Sequence, residues 1–333
     1  MPIPENFGFA EPGTEKFTPD EQVRIAQGVE DAGFDFLLVP ETWGRDAFNR
    51  AGYIAAQTDI PMGTGIIPVH SRSPALIAQS IATLDEIAGG AYLGLGLSSD
   101  NVIEKWHGVD FQPALRRQRE TIEIVRQALS GETVDYDGDL FDVEHFRMRF
   151  EPNPDIPICV GAQGPTNCEL TGGFADQWWP NRIPLSKIGN LREHVDTGAK
   201  KQDRDPSEID TVPFVTSCIL EDGEQARRRA AGEIAHYIGA MGEYTLNALK
   251  KLGYGENATK VNDYWEDGEK QEAIDSVSPE LLDDITVSGT PEQAWETIEK
   301  YGEECDGLVM LPSKDASMDE ITETITHIED NIA

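Results

Sequence analysis

The chain has 333 residues, enough for one large α/β barrel or two ordinary domains, and a hydrophobic fraction of 39% supplies a core at that size. It carries 61 acidic against 27 basic residues, a net charge of −34, which argues against nucleic acid as a partner because the phosphates would be repelled. No apolar run approaches the roughly 18 residues of a membrane helix, and the start "MPIPENFGFAEPG" lacks the basic and apolar regions of a secretory signal. The expectation is a cytoplasmic protein with no membrane partner.

The acids are spread along the chain, as in "WEDGE", "SPELLDD" and "EEC", with periodic apolar segments between them, so disorder is excluded. An evenly acidic surface suits a cytoplasm of very high salt, where the Debye length falls to about 3 Å and self-repulsion is screened. The sequence therefore predicts a halophile, an archaeon.

Apolar runs alternate with helical patterns from end to end. The predicted strands are 7–10, 34–40, 60–67, 92–97, 158–161, 175–180, 209–216 and 307–311. Between them lie helix patterns such as "PDEQVRIAQGVEDAG", "SPALIAQSIATLDEIAGG", "ALRRQRETIEIVRQALSG" and "TPEQAWETIEKYGEEC". Thr18-Pro19 opens the first of these, and Gly33 and Gly131 stop the first and third. Eight strands with intervening helices predict an α/β fold, a (β/α)8 TIM barrel of one domain. A doubly wound sheet fits less well, because "GLGLSS" has a serine where the third glycine of its fingerprint belongs. Two insertions interrupt the alternation: residues 131–152, read as a hairpin turning at Asp137-Gly138, and residues 242–285, read as an extra helical segment.

The four cysteines, Cys159, Cys168, Cys218 and Cys305, form no C-x-x-C pair, so buried reduced thiols are expected and zinc is not. The strand ends, where a parallel barrel gathers its chemistry, hold glycines, hydroxyls and aromatics and few histidines. They contain no H-E-x-x-H, G-x-S-x-G or G-K-[ST], and no nucleophile can be set beside a base. "SDN" at 99–101 lacks an accompanying S-x-x-K and is read as chance. The stretch "PICVGAQGPTNCELTGGFADQWWPN" runs strand, glycine turn, helix, strand, with Pro165 suited to a first helical position. Gly161 and Gly164 let a ligand approach the backbone, and the helix start offers free N–H groups to a phosphate; an ordinary tight βα turn is the alternative.

Taken together, "ETWGRDAF", "GTGIIPVHSRSPALIAQSIATLDEIAGG", "YLGLGLSSDNVIEKWHG", "VGAQGPTNCELTGGFAD" and "SGTPEQAWETIEKYGEECDGLVMLP" resemble the luciferase-like flavin and deazaflavin oxidoreductases. The likeness is to their coenzyme F420-dependent branch, including methylenetetrahydromethanopterin reductases, and it spans nearly the whole chain in order. It implies the same barrel, and coenzyme F420 as cofactor with FMN as the alternative. It places a non-prolyl cis peptide at Gly65–Ile66, with Ile66 pressing one face of the cofactor ring. Glu41, Thr42 and Trp43 would contact the ring, Gly96, Leu97 and Ser98 would line ring or tail, and Gly161, Ala162, Gln163 and Gly164 would form the phosphate turn. Trp43 is weighed against plain barrel packing, as are Trp178 and Trp179. His70 and His107 are weighed against structural roles, and "RRQR" at 116–119 against a solvated helix face.

There are departures. Where the reductases and the related sugar-phosphate dehydrogenases carry an acid after G-x-G-x stands Ser99, and Thr42 replaces a frequent histidine. The reductases place a glutamate after "FGI" as a candidate proton donor; here "FGFAE" puts Ala10 there and Glu11 one residue late. A one-residue slip can reverse a strand side chain. The expected reaction is reduction of a 5,10-methylene-tetrahydropterin, the carrier being tetrahydrofolate or tetrahydromethanopterin. Glu11 is the first candidate donor and Glu41 the second. A rival is oxidation of an alcohol or sugar phosphate; a non-catalytic binding protein is more distant. The expected partners are a small-molecule substrate and further copies of the chain, as a dimer or tetramer.

Overall fold

The computed structural model describes residues 4–12, 16–41, 44–240 and 243–332. Eight parallel strands follow in chain order: Phe7–Ala10, Phe36–Val39, Met62–Thr64 continued by Ile67–Pro68, Ala91–Gly96, Ile158–Val160, Gln177–Trp178, Asp210–Thr211 continued by Phe214–Ile219, and Leu308–Pro312. Each pairs with its predecessor, and the eighth pairs with the first. Closure runs through the seventh strand. Val212 N donates to Trp178 O at 2.9 Å on one side, and Val309 N to Pro213 O at 2.8 Å on the other. The (β/α)8 barrel is thus the observed architecture, with an additional strand, Thr286–Gly289, on the outer half of the seventh.

The expected strands all form, and two of them break. The third is interrupted at Gly65–Ile66. The seventh breaks at Val212–Pro213, where the proline has no N–H to give the ladder, and then runs on to Ile219, beyond its expected end. Local signals fixed the helices between them. Thr18 caps the helix Pro19–Asp31 in a reciprocal capping box with Glu21. The helices Pro19–Asp31 and Ala114–Leu129 are followed by Gly33 and Gly131 at φ 79° and 78°.

Strand alternation sorts side chains into two cores. Phe7, Phe9, Leu37, Val39, Leu93, Leu95 and Met310 pack outward against the helices. Ala10, Phe36, Leu38, Cys159, Trp179, Phe214 and Val309 fill the barrel interior. At the N-terminal end, Asn6 and Gln177 both donate to Asp210 Oδ2 at 3.3 Å, so that floor is plugged by a polar network. A ligand therefore approaches from the C-terminal mouth.

Two segments stand outside the barrel alternation. Strands Val134–Asp137 and Asp142–Phe146 make the hairpin, and buried Glu120 accepts from the N–H groups of Asp139, Leu140 and Phe141 at 3.0, 3.0 and 3.1 Å. Helices Glu243–Leu249, Gly255–Glu266, Lys270–Asp275 and Pro279–Ile285 build the second, packing Val261 and Leu281 against Ile234 and Ile238 of helix Gly223–Gly239. All four cysteines are free, and burial pushes the Cys218 thiol up to about 12. Among the described residues there is no cluster able to hold a metal ion and no helix long and apolar enough to cross a membrane.

Candidate active site

The peptide Gly65–Ile66 is cis, at the position the resemblance implied. Gly65 N donates to Val39 O at 3.0 Å, and the hydroxyl of Thr64 both donates to Gly94 O at 2.9 Å and accepts from Gly94 N at 3.0 Å. These bonds tie the break in the third strand to both neighbours. Half-buried Ile66 lies across the fourth and fifth strands, where glycines make room for it. A Cβ on Gly96 would stand 1.9 Å from Ile66 Cδ1, and one on Gly161 3.3 Å from the same atom. A Cβ on Gly94 would meet Thr64 O at 2.0 Å and the Trp179 ring at 2.6 Å. The result is an apolar ledge with glycine walls, suited to the face of a flat ring.

Beyond the ledge the fourth strand leaves through Leu97, packed against the outer core, and exposed Ser98, whose φ of 61° turns the chain sharply. The turn Gly161–Gly164 leaves the fifth strand beside it. Gly161 N donates to Leu95 O at 3.0 Å, Trp178 Nε1 donates to Ala162 O at 2.8 Å, and Gln163 Nε2 donates to Asn181 O. The turn is thereby fixed from both neighbouring strands. Gly164 then caps the helix Pro165–Phe174 without any side-chain bond, and a Cβ there would meet nothing within 4 Å. The first N–H groups of that helix are open to an anion. Gly65, Ile66, Gly96, Ser98, Gly161, Ala162, Gln163 and Gly164 therefore stand at one end of the barrel, whereas Leu97 turns to the outer core. Thr42 and Trp43 lie outside the described residues.

The carboxyl candidates fare differently. Alternation puts Ala10 inward, in the barrel core, so Glu11 falls on the outward side with Phe7 and Phe9. It is 1% exposed, and its Oε2 accepts from Arg50 Nη2 of helix Ala47–Ala55, which packs outside the second and third strands. Burial pushes its carboxyl up to about 7, against the pull of the Arg50 and Arg45 guanidinium groups. That acidity suits a donor at neutral pH, but the group faces the helix layer, so the expectation of Glu11 as proton donor is corrected. Glu41 stands at the mouth with both oxygens committed. Arg72 donates to Oε1 and Oε2 at 2.7 and 2.6 Å, and Ala47 N to Oε2 at 3.1 Å. It clamps the loop before helix Ala47–Ala55, and with both oxygens held by Arg72 and the Ala47 N–H it serves that loop and not the expected role of second donor.

Other side chains resolve into structural roles. His70 Nε2 bonds Phe111 O at 3.0 Å and its ring stacks on Phe111, with burial lowering its pKa. Trp178 and Trp179 are fully buried core, and His107 is exposed. In "RRQR", Arg116 pairs with Asp139, Arg117 lies over Phe141, Gln118 bonds Asn167 and Arg119 pairs with Glu123, so the run latches the hairpin and helix Pro165–Phe174 in place. Sequence reasoning missed a polar group at the mouth. Arg182, after the sixth strand, pairs with Glu233 at 3.1 Å, and Glu233 also accepts from Ser313 Oγ at 3.2 Å beyond the eighth. The only advance signal was position, since "WWPNRIP" and "MLPSKD" both stand at strand ends.

With this geometry in view, comparisons with known proteins agree on a lineage. The profile of the family described as luciferase-like monooxygenase matches residues 5–305. A 5,10-methylenetetrahydromethanopterin reductase of Archaeoglobus fulgidus is 31% identical over 295 residues, covering 85% of this chain and 87% of the relative. A putative coenzyme F420-dependent oxidoreductase of Mycobacterium tuberculosis is 30% identical over 297 residues, covering 81% and 84%. The solved coenzyme F420-dependent tetrahydromethanopterin reductase of Methanopyrus kandleri superposes over 100% of both chains with a TM-score of 0.83 at 21% identity, a likeness of fold.

Proposed function

The chain belongs to the luciferase-like monooxygenase family, and from that premise we propose that it is a coenzyme F420-dependent oxidoreductase reducing a 5,10-methylene-tetrahydropterin to its 5-methyl form. The observation that carries the reading is the glycine-walled ledge at Ile66 beside an uncapped helix start, in a chain similar over most of its length to reductases of that name. Bound there, the reduced deazaflavin supplies the hydride.

The protein's share is orientation and exclusion of water. Ile66 supports one face of the ring, and Gly96 and Gly161 leave the room that the support needs. Backbone N–H groups at the start of Pro165–Phe174 hold the phosphate, and the Gln163–Asn181 bond keeps that turn in register with the sixth strand. The Glu41–Arg72 clamp fixes the loop on the opposite side of the mouth. With Glu11 turned outward and Glu41 saturated, the proton that opens the methylene bridge comes from a water at the mouth. The chain also works as a homo-oligomer, a reading supported by Leu76 and Ile87, 48% and 50% exposed along one stripe of helix Pro74–Ala88.

The test follows coenzyme F420 absorbance with methylene-tetrahydrofolate, with methylene-tetrahydromethanopterin and with a panel of alcohols. Turnover of one of the carriers is expected. Oxidation of an alcohol with neither carrier accepted overturns the assignment, and tight FMN binding without any response to coenzyme F420 overturns the cofactor.

A further inference from the structure

We propose that the rim between the ends of the sixth and eighth strands, formed by Arg182 and Lys314, is a subsite for a carboxylate borne by the pterin carrier. The proposal rests on the carrier reading above and extends it to the part of the substrate far from the reacting carbon.

The rim is built as a rigid unit. Arg182 is buried, its guanidinium carbon 3.5 Å from the centroid of the Tyr237 ring, with Nη1 donating to Asn181 Oδ1 at 2.9 Å and Nη2 to Glu233 Oε1 at 3.1 Å. Glu233 is buried too, and its other oxygen accepts from Ser313 Oγ and from the backbone N–H of Lys314, both at 3.2 Å. One carboxylate on helix Gly223–Gly239 thus joins the loops that follow strands six and eight. Asn181, next to Arg182, receives the Gln163 bond that fixes the phosphate turn, so the rim and the cofactor turn share one frame.

Its charge is unusual for this molecule. The chain has more than two acids for every base, yet here two bases, Arg182 and Lys314, stand beside two acids, Glu233 and Asp315. Glu233 neutralises Arg182, while the half-buried Lys314 pairs with no carboxylate among the described residues. Asp315 faces outward beside it, with its carbonyl taken by Lys16. Arg182 Nε is buried and has no acceptor among the described residues, a donor left over in an otherwise satisfied group. His236 lies in the same field. Burial, then Lys314 and Arg182, lower its pKa against the pull of Glu233 and Asp315, and its ring packs on Trp265 and Tyr237 at centroid distances of 5.6 and 5.9 Å.

A lysine ammonium with a buried guanidinium behind it makes a receptor for a carboxylate. Partial burial matters in molar salt, where exposed charges more than about 3 Å apart are screened and only shielded ones keep their pull. Tetrahydropterin carriers bear their carboxylates on the tail, away from the ring that meets the cofactor.

The experiment measures equilibrium binding by protein fluorescence, with tetrahydrofolate, with 6-methyltetrahydropterin (the same ring without a carboxylate) and with coenzyme F420. Lys314→Glu is expected to weaken tetrahydrofolate binding at least 10-fold while leaving the tail-free pterin and the cofactor within about twofold; Lys314→Arg should retain most of the affinity. The backbone N–H of Lys314, which braces Glu233, survives both changes. Equal losses for both pterins, or no loss for either, overturn the subsite. A loss confined to coenzyme F420 assigns the rim to the cofactor's tail and overturns it as well. A wild-type protein that binds the cofactor and none of the pterins, tetrahydromethanopterin included, refutes the carrier reading itself, an outcome distinct from the others.

Discussion

Replacing Gly96 by alanine tests the ledge directly. The added methyl would stand 1.9 Å from Ile66 Cδ1 and 3.2 Å from Cγ1, against a normal carbon contact of about 3.5–4.0 Å, so the Ile66 side chain must turn away. The obstructing atom is the free end of a flexible side chain, so the fold survives with a loss of about 1–3 kcal/mol. Gly96 and Gly161 both line the seat of the Ile66 Cδ1 atom, so a side chain driven off Gly96 shifts within the space proposed for the cofactor ring. A titration of coenzyme F420 fluorescence should show affinity falling at least 10-fold, about 1.4 kcal/mol. The double variant Gly96→Ala with Ile66→Ala removes the clash, and its affinity should return to that of Ile66→Ala alone, a coupling that only a direct contact produces. Wild-type affinity in the single variant, or no recovery in the double, would refute the ledge as the ring's seat.

Three further outcomes follow from the same structure. Glu11→Gln should leave turnover within about threefold, because the carboxyl faces Arg50 and the helix layer; a 100-fold fall would return Glu11 to the role of donor. The same variant has a pH signature. A carboxyl raised from 4.5 to about 7 in the folded state contributes stability that is full below pH 4.5 and is lost as pH rises through 7. Wild type should therefore lose roughly 3 kcal/mol relative to Glu11→Gln across that window in denaturant titrations; a constant difference would contradict the burial. Gly164→Asp places a carboxylate at an open cap with no steric conflict, so the melting temperature should rise while coenzyme F420 affinity drops at least 10-fold through repulsion of its phosphate. Higher affinity in that variant would remove the helix start from the phosphate site. The −34 charge predicts that circular dichroism will show folding only at molar KCl, and a fully folded, active protein at roughly 0.1 M salt would count against a saline cytoplasm.

Much of this was legible in the chain, for identifiable reasons. Buried parallel strands are apolar at nearly every position, so "FLLV" and "LVML" announced themselves without tertiary information. Helix limits were equally local, because Thr18, Gly33 and Gly131 act through their own backbone bonds and dihedrals. The cofactor ledge was legible only as a set: "GTGII", "GLGLS" and "GAQGP" lie far apart, and what joins them is one isoleucine side chain that needs glycines across two strands. No single motif carries that requirement. The break at Pro213 was open to reading, since a proline inside an apolar run cannot serve a ladder on both sides.

The acid–base assignment was where residue type misled. Glu11 and Glu41 stand at strand ends, and a linear reading cannot see which way either turns. The period of two settles Glu11, because Ala10 shares the inward side with Gly8 and leaves the next residue for the helices. For Glu41 the deciding partner is Arg72, 31 residues later, whose paired donors reach both carboxylate oxygens once the third strand brings it back to the mouth. Arg182 and Glu233 escaped notice for the same reason at a separation of 51 residues. A charged side chain takes its meaning from the charge it meets, and in a barrel those meetings are made by the order of the strands around the ring. With Glu11 on the helix side and Glu41 tied to Arg72, the barrel mouth has a consistent character: an apolar ledge at Ile66 and backbone donors at the start of Pro165–Phe174, with the fixed charges held at the edges where they grip loops.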